Sequence, residues 1–140
     1  MSGSSPARLY ASLVGGTLVI AGIVGFFYSA SFATGDDLRA DAVLGVLDVN
    51  GWHNLVHIAT GLLGLAAAGY AARTYALALG LAYVLIAIWG FIETDSGFGA
   101  LLDVIPVNTE DNFLHLILGL TGLAAGAATP PAARPRPRAT

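Results

Sequence analysis

Four long apolar runs separated by short polar ones set the pattern of this chain: residues 9–28, 53–70, 74–92 and 113–128 contain no Asp, Glu, Lys or Arg. Each is near the ~20 residues a helix needs to cross the hydrocarbon of a bilayer. The second and fourth runs match each other. Val49, Asn50, Asn54, His57, Gly61, Leu62, Gly64, Leu65, Ala66 and Ala67 recur 58 positions later as Val107, Asn108, Asn112, His115, Gly119, Leu120, Gly122, Leu123, Ala124 and Ala125, ten identities in nineteen positions. The first and third runs share a sparser pattern 65 positions apart, in which Gly15, Leu18, Gly22, Gly25 and Phe26 meet Gly80, Tyr83, Ala87, Gly90 and Phe91. Self-similarity at fixed offsets signals a duplicated unit. Here the unit is a whole helix pair, and its first copy has the longer connecting loop.

A unit of two spans ends on the side where it began, so the two copies are expected to lie parallel about an axis along the membrane normal. The pattern therefore predicts an all-α fold, an integral membrane four-helix bundle built from two parallel helix-pair repeats. Residues 1–8 form the N-terminus, helices run at about 9–28, 52–72, 74–92 and 110–128, and 129–140 form a disordered tail rich in Pro and Arg. The first run followed by Ser31, Phe32 and Ala33 resembles a secretory signal with its cleavage site. It is too long for that, and its small-residue pattern returns in the third run.

The loops carry their own signals. The first, 29–50, sets Leu38, Val43, Leu44, Val46 and Leu47 among acids and is expected to form a short helix lying on the bundle. The second, 93–107, is expected to lose its local structure at Pro106. Both close on Val-Asn, which places Asn50 and Asn108 as N-caps of the second and fourth helices. His53 and Asp111 then stand at the third helical position, where an anion complements the helix dipole.

Composition narrows the class. With 56% hydrophobic and 11% charged residues and a mean hydropathy of +0.73, the chain lies outside the range of soluble domains. It leaves no room for a soluble catalytic domain. Arg8, Arg73, Arg134, Arg136 and Arg138 fall on one side of the expected topology and Arg39 on the other, so both termini are expected in the cytoplasm of a bacterial plasma membrane. The acidic residues all fall outside, and the tail arginines suit anionic lipid headgroups. Cysteine is absent, which excludes disulfides and thiolate sites. Tyr10, Phe27, Tyr28, Trp52, Tyr70, Tyr75 and Trp89 read as an interfacial belt.

The candidate chemistry lies on one helical stripe. Spacings of three and four put Asn54, His57, Gly61 and Gly64 on one face, and Asn112, His115, Gly119 and Gly122 on its copy. Gly15 and Gly22 supply a matching stripe in the first run. Small residues let helices approach closely in lipid, and polar side chains bond across the contact. At ~1.5 Å per residue, His57 sits only about 9 Å below the start of its helix, near the headgroup boundary. One reading is a polar clasp of Asn54, His57, Asn112 and His115. A second is a transition-metal site, because His53 with His57 and Asp111 with His115 are each four apart and suit zinc, iron or copper; haem between His57 and His115 is a variant of it. A third is transport past Gly61 and Gly119, against which the inner parts of the helices hold no ionisable residue. Nothing suggests a phosphate loop, a nucleophile with its base, or a basic face for nucleic acid.

The run Val107, Asn108, Thr109, Glu110, Asp111, Asn112, Phe113, Leu114, His115, taken with His53, Asn54, Leu55, Val56 and His57, resembles the bacterial membrane family known as domain of unknown function 4383. The resemblance covers about residues 8–128 and implies a four-helix integral membrane protein of a kind commonest in actinobacteria. It implies no activity and no catalytic residue. Asn54, His57, Asn108, Asn112 and His115 match its pattern.

The sequence thus points first to a small non-enzymatic membrane protein, structural or accessory, with an outward-facing Asn/His clasp. Its partners would be the lipid bilayer and other membrane proteins or further copies of itself, with no nucleic acid and no obligate cofactor. The alternatives are a metal- or haem-binding accessory subunit of a membrane redox complex, and a transporter or channel formed by an oligomer. A metal site alone requires the nitrogens of His53, His57 and His115 to converge within about 2 Å of one point.

Overall fold

The computed structural model describes residues 4–94 and 97–131. The Pro/Arg tail expected over 129–140 therefore lies mostly outside the described residues, as does Asp95. Four helices dominate: α1 (Pro6–Gly25), α2 (Gly51–Ala67), α3 (Ala72–Glu93) and α4 (Thr109–Ala127). α1 starts with Pro6 at its first position, behind Ser5, whose Oγ accepts from the Arg8 N–H. α2 stops at Ala67 rather than near residue 72, because residues 68–71 are needed to turn the chain back into α3. By length and composition α1 and α3 are apolar enough to cross a membrane.

The expectation of an all-α chain needs correction. Each of the two long loops, between α1 and α2 and between α3 and α4, contains an antiparallel hairpin, β1 (Asp41–Val43) with β2 (Leu47–Val49), and β3 (Phe98–Leu101) with β4 (Ile105–Asn108). In place of the short helix expected in the first loop there is a single 3₁₀ turn at Gly35–Asp37, followed by the first hairpin. The two turns share a form. Leu44 and Gly45, then Leu102 and Asp103, have positive φ, and Val46 and Val104 donate back to the Val43 and Leu101 carbonyls at 3.0 Å. Such turns suit the twist of a hairpin, but Asn or Gly normally occupies them. Pro106 does not end the second loop's structure; it sits in β4 opposite Ala100, and in a two-stranded sheet every strand is an edge that tolerates a missing N–H.

Within each half the helices meet through glycine. A Cβ on Gly15 would stand 2.9 Å from the Gly61 carbonyl oxygen, and one on Gly61 would stand 2.6 Å from that of Gly15. Gly80 and Gly119 stand in the same relation at 2.9 Å each way. Backbones this close exchange Cα–H···O contacts that a side chain would forbid. Further up, Gly22 lies against the Asn54 carbonyl. The lipid-like residues lie on the other side of these helices: Leu13, Ile20, Leu63, Leu81, Ile88, Ile117 and Leu120 are exposed.

The halves join at both ends. At the end where α1 starts and α4 finishes, Ala7, Tyr10, Ala11, Ala72 and Ala76 form a buried core. Tyr10 and Tyr75 turn inward instead of joining an interfacial belt. Tyr10 donates to the Leu118 carbonyl (2.9 Å) and Tyr75 to that of Thr60 (3.0 Å). Gly122 and Gly64, each four residues past the accepting carbonyl, leave the room: a Cβ there would meet the phenol oxygen at 2.7 and 2.5 Å. Arg8 and Arg73 donate Nε to the carbonyls of Ala68 and Thr129, beyond the C-terminal ends of α2 and α4, where a cation complements the dipole. At the hairpin end, Asn50 and Asn108 cross between the halves.

Candidate metal centre

Asn50 and Asn108 fix the frame around the histidines. Each caps its helix, Asn50 Oδ1 accepting from His53 N–H at 2.9 Å and Asn108 Oδ1 from Asp111 N–H at 2.8 Å. Each also donates Nδ2 into the opposite hairpin, to the Val104 and Val46 carbonyls, both at 2.7 Å. The caps thereby fix where the third residue of each helix points.

Those third residues differ. Asp111 closes a capping box: its Oδ2 accepts from the backbone N–H of Asn108 (3.1 Å) and of Asp48 in the other half (3.0 Å). Its carboxylate is engaged. The residue 58 positions beyond Asp48 is Pro106, which has no N–H, so a carboxylate at position 53 would lack the matching donor from the other half. Position 53 is instead histidine, whose Nδ1 lies 3.0 Å from the Asp48 carbonyl. A carbonyl can only accept, so Nδ1 carries the proton and Nε2 presents a lone pair. The Asp48 carboxyl, outside the helices, is pushed above its usual range by burial.

The His53 ring stands beside two other imidazoles. His53, His57 and His115 each bring a ring nitrogen to within 4.8 Å of the other two. The His53 ring lies 4.3 Å from that of His57 and 6.0 Å from that of His115, centre to centre. His115 is 5% exposed, and its Nδ1 has no hydrogen-bond partner among the described residues. Nitrogens bound tetrahedrally to one zinc at about 2.0–2.1 Å stand about 3.4 Å apart, so to share an ion the three would have to draw together by up to about 1.4 Å from their present separations of up to 4.8 Å. Asp111 lines the same cavity as the three histidines but is held in the cap.

The two asparagines expected beside the histidines face elsewhere. Asn54 donates Nδ2 to the Ser29 carbonyl and Asn112 donates to Thr94 Oγ1, both at 2.8 Å. Their Oδ1 atoms have no hydrogen-bond partner among the described residues and press on Gly25 and Gly90, where a Cβ would come within 1.9 Å. They tie helix to helix within a half; the histidines converge between the halves. Sequence reading missed Tyr83, a buried ring stacked on His115 with centres 5.0 Å apart and planes 17° off parallel. Its only signal was the replacement of Leu18 by Tyr in the 65-residue correspondence.

The class these features define is a mostly helical chain with apolar helices and a polar cluster at one end. The chain belongs to the family described as Domain of unknown function (DUF4383), whose model matches residues 8–128. No curated protein and no solved structure matches it.

Proposed function

We propose that this chain is a small, non-enzymatic, multi-pass protein of the bacterial plasma membrane that holds one transition-metal ion between its halves, acting as an accessory to a larger membrane complex. The observation that carries the reading is the convergence of His53, His57 and His115, with one buried imidazole nitrogen left unpartnered among the described residues. Buried polar groups are nearly always satisfied, and an orphan beside two other imidazoles suits an ion. Three neutral histidines with a free position match zinc, copper, cobalt or nickel. Haem fits less well, because Tyr83 is stacked on His115 and His53 crowds His57 where a macrocycle would need an open slot.

Several features support the membrane setting. Glycine and alanine fill the helix contacts while leucine and isoleucine lie outside, the reverse of a water-soluble bundle. The matching turns, caps, tyrosine bonds and glycine contacts at offsets of 58 and 65 support a duplicated helix pair with parallel copies. Arg8 and Arg73 at the same end favour cytoplasmic termini. Close contact at Gly15–Gly61 and Gly80–Gly119 fills the path a transporter would use, which favours binding over passage within one chain.

The test is metal content of the protein purified in mild detergent, by mass spectrometry, beside His57→Ala and His115→Ala. About one equivalent of metal in the wild type, lost from both variants, is expected. Metal at background level after exposure to zinc, copper or cobalt, or equal metal in the variants, overturns the proposal and leaves the cluster as a contact between helices.

A further inference from the structure

Two cavities flank the three histidines, and they are unequal. One, about 150 Å³, lies between α1 and α4; the other, about 40 Å³, lies between α2 and α3. Corresponding positions line them: Leu18, Val43 and Leu47 in the first, Tyr83, Leu101 and Ile105 in the second. Tyr83 accounts for the difference, since its ring covers His115 on that side. Leu18 leaves the other side open. Beyond the histidines and Asp111, the larger cavity is walled almost wholly by aliphatic groups, and Thr17, Val24 and Leu114 on its α1 and α4 walls are exposed. In a membrane, that gap faces acyl chains.

A three-histidine ion has a coordination position to fill. Here water would have to enter an apolar chamber with few polar partners, which is unfavourable. A cavity of this order takes a benzene-sized group.

Resting on the metal reading above, we propose that the site takes its fourth ligand from the bilayer: a neutral, lipid-soluble molecule with a single nitrogen or oxygen donor on a slender body the size of one aromatic ring, entering between α1 and α4. The donor meets the ion at His53, His57 and His115, and the body lies along Leu18, Ala21 and Leu118. On the opposite side the stacked Tyr83 covers His115 and leaves only about 40 Å³.

The experiment uses the cobalt(II)-loaded full chain in detergent, whose visible bands report coordination. It is titrated with imidazole and with 4-phenylimidazole, which carry the same donor without and with a ring. The phenyl compound is expected to shift the bands at about ten-fold or more lower concentration, as burial of a phenyl group implies. Partition into micelles favours the phenyl compound equally in every variant, so the comparison between variants decides. Leu18→Tyr, which copies the closed side, and Ala21→Leu are both expected to keep the cobalt spectrum and lose the preference. Cobalt bound through the histidines, with the preference intact in both variants or absent from the wild type, overturns this inference alone. Failure to bind cobalt overturns this inference, and failure to bind zinc and copper as well overturns the metal reading with it.

Discussion

Asn50 and Asn108 each hold the other's half of the molecule: Asn50 donates its Nδ2 to the Val104 carbonyl and Asn108 donates its own to Val46, both at 2.7 Å, while their Oδ1 atoms cap α2 and α4. The accepting residues sit in the turns whose backbone is least comfortable, beside Leu44 and Leu102. One side chain therefore starts a helix, steadies a strained turn and ties two halves together. Replacing either by Ala removes a cap and a buried donor, and is expected to cost about 2 kcal/mol. Asp is as good a cap as Asn but cannot donate, and it would set a carboxylate against a carbonyl. Asn50→Asp and Asn108→Asp are thus expected to lower the detergent melting temperature nearly as far as Ala does. If Asp restores wild-type stability, the bond between halves contributes nothing.

The contact of Asn54 with Gly25, and of Asn112 with Gly90, leaves no space for a methyl group. Gly25→Ala is expected to destabilise by about 2–4 kcal/mol, as overpacking of a tight contact does. Gly16, on the same helix, has open space where a methyl group would stand, with nothing within 4 Å, so Gly16→Ala is expected to be neutral or to stabilise by up to about 1 kcal/mol through helix propensity alone. Thermal unfolding of the two variants side by side separates close contact from propensity. Adding Asn54→Ala to Gly25→Ala should cost less than the sum of the single changes, because the first makes room for the second.

Leu44 and Leu102 hold φ of 55°, which an L-residue with a Cβ occupies at a cost of roughly 1–2 kcal/mol. Both are also exposed, at 82% and 73%, so their side chains recover little by packing within the chain. Leu102→Asn, which suits the turn, is expected to raise stability by about 1 kcal/mol. A loss of stability on that substitution in lipid bilayers, with a gain in detergent, would mean that the leucines at the hairpin tips are held for contact with the headgroup region.

Much of this was legible because apolar helices that pack through glycine leave coarse marks. The glycine stripes at Gly15, Gly22, Gly61, Gly64, Gly119 and Gly122 lie at helix contacts because only small residues permit them, and Asn50 and Asn108 cap because an amide after an extended residue has few other uses. The hairpins were not legible. Leucine stands at Leu44 and Leu102 where a turn would advertise itself with Asn or Gly, and Pro106 argued for an ending where an edge strand absorbs it. The tyrosines misled for a related reason: Tyr10 and Tyr75 lie near helix ends, as belt residues do, and only the carbonyls laid open by Gly122 and Gly64 turn them inward. Spacing also paired Asp111 with His115, and spacing does not reveal that two backbone N–H groups already hold the carboxylate.

That engagement separates the third and fourth ligand candidates. Asp111 Oδ2 accepts from Asn108 and Asp48 at 3.1 and 3.0 Å, two bonds that a charged acceptor makes stronger, and turning it to an ion would break both. Asp111→Asn is expected to leave the metal content of the purified protein at the wild-type value while lowering its stability by about 2 kcal/mol. His53→Ala is expected to do the reverse in kind: the helix cap provided by Asn50 survives, because it uses the His53 backbone, yet the metal is lost with the imidazole. Metal content measured on both variants at matched folded fraction decides. Should Asp111→Asn lose its metal as fully as His115→Ala, the carboxylate leaves its cap to bind, and the site is three histidines with one aspartate.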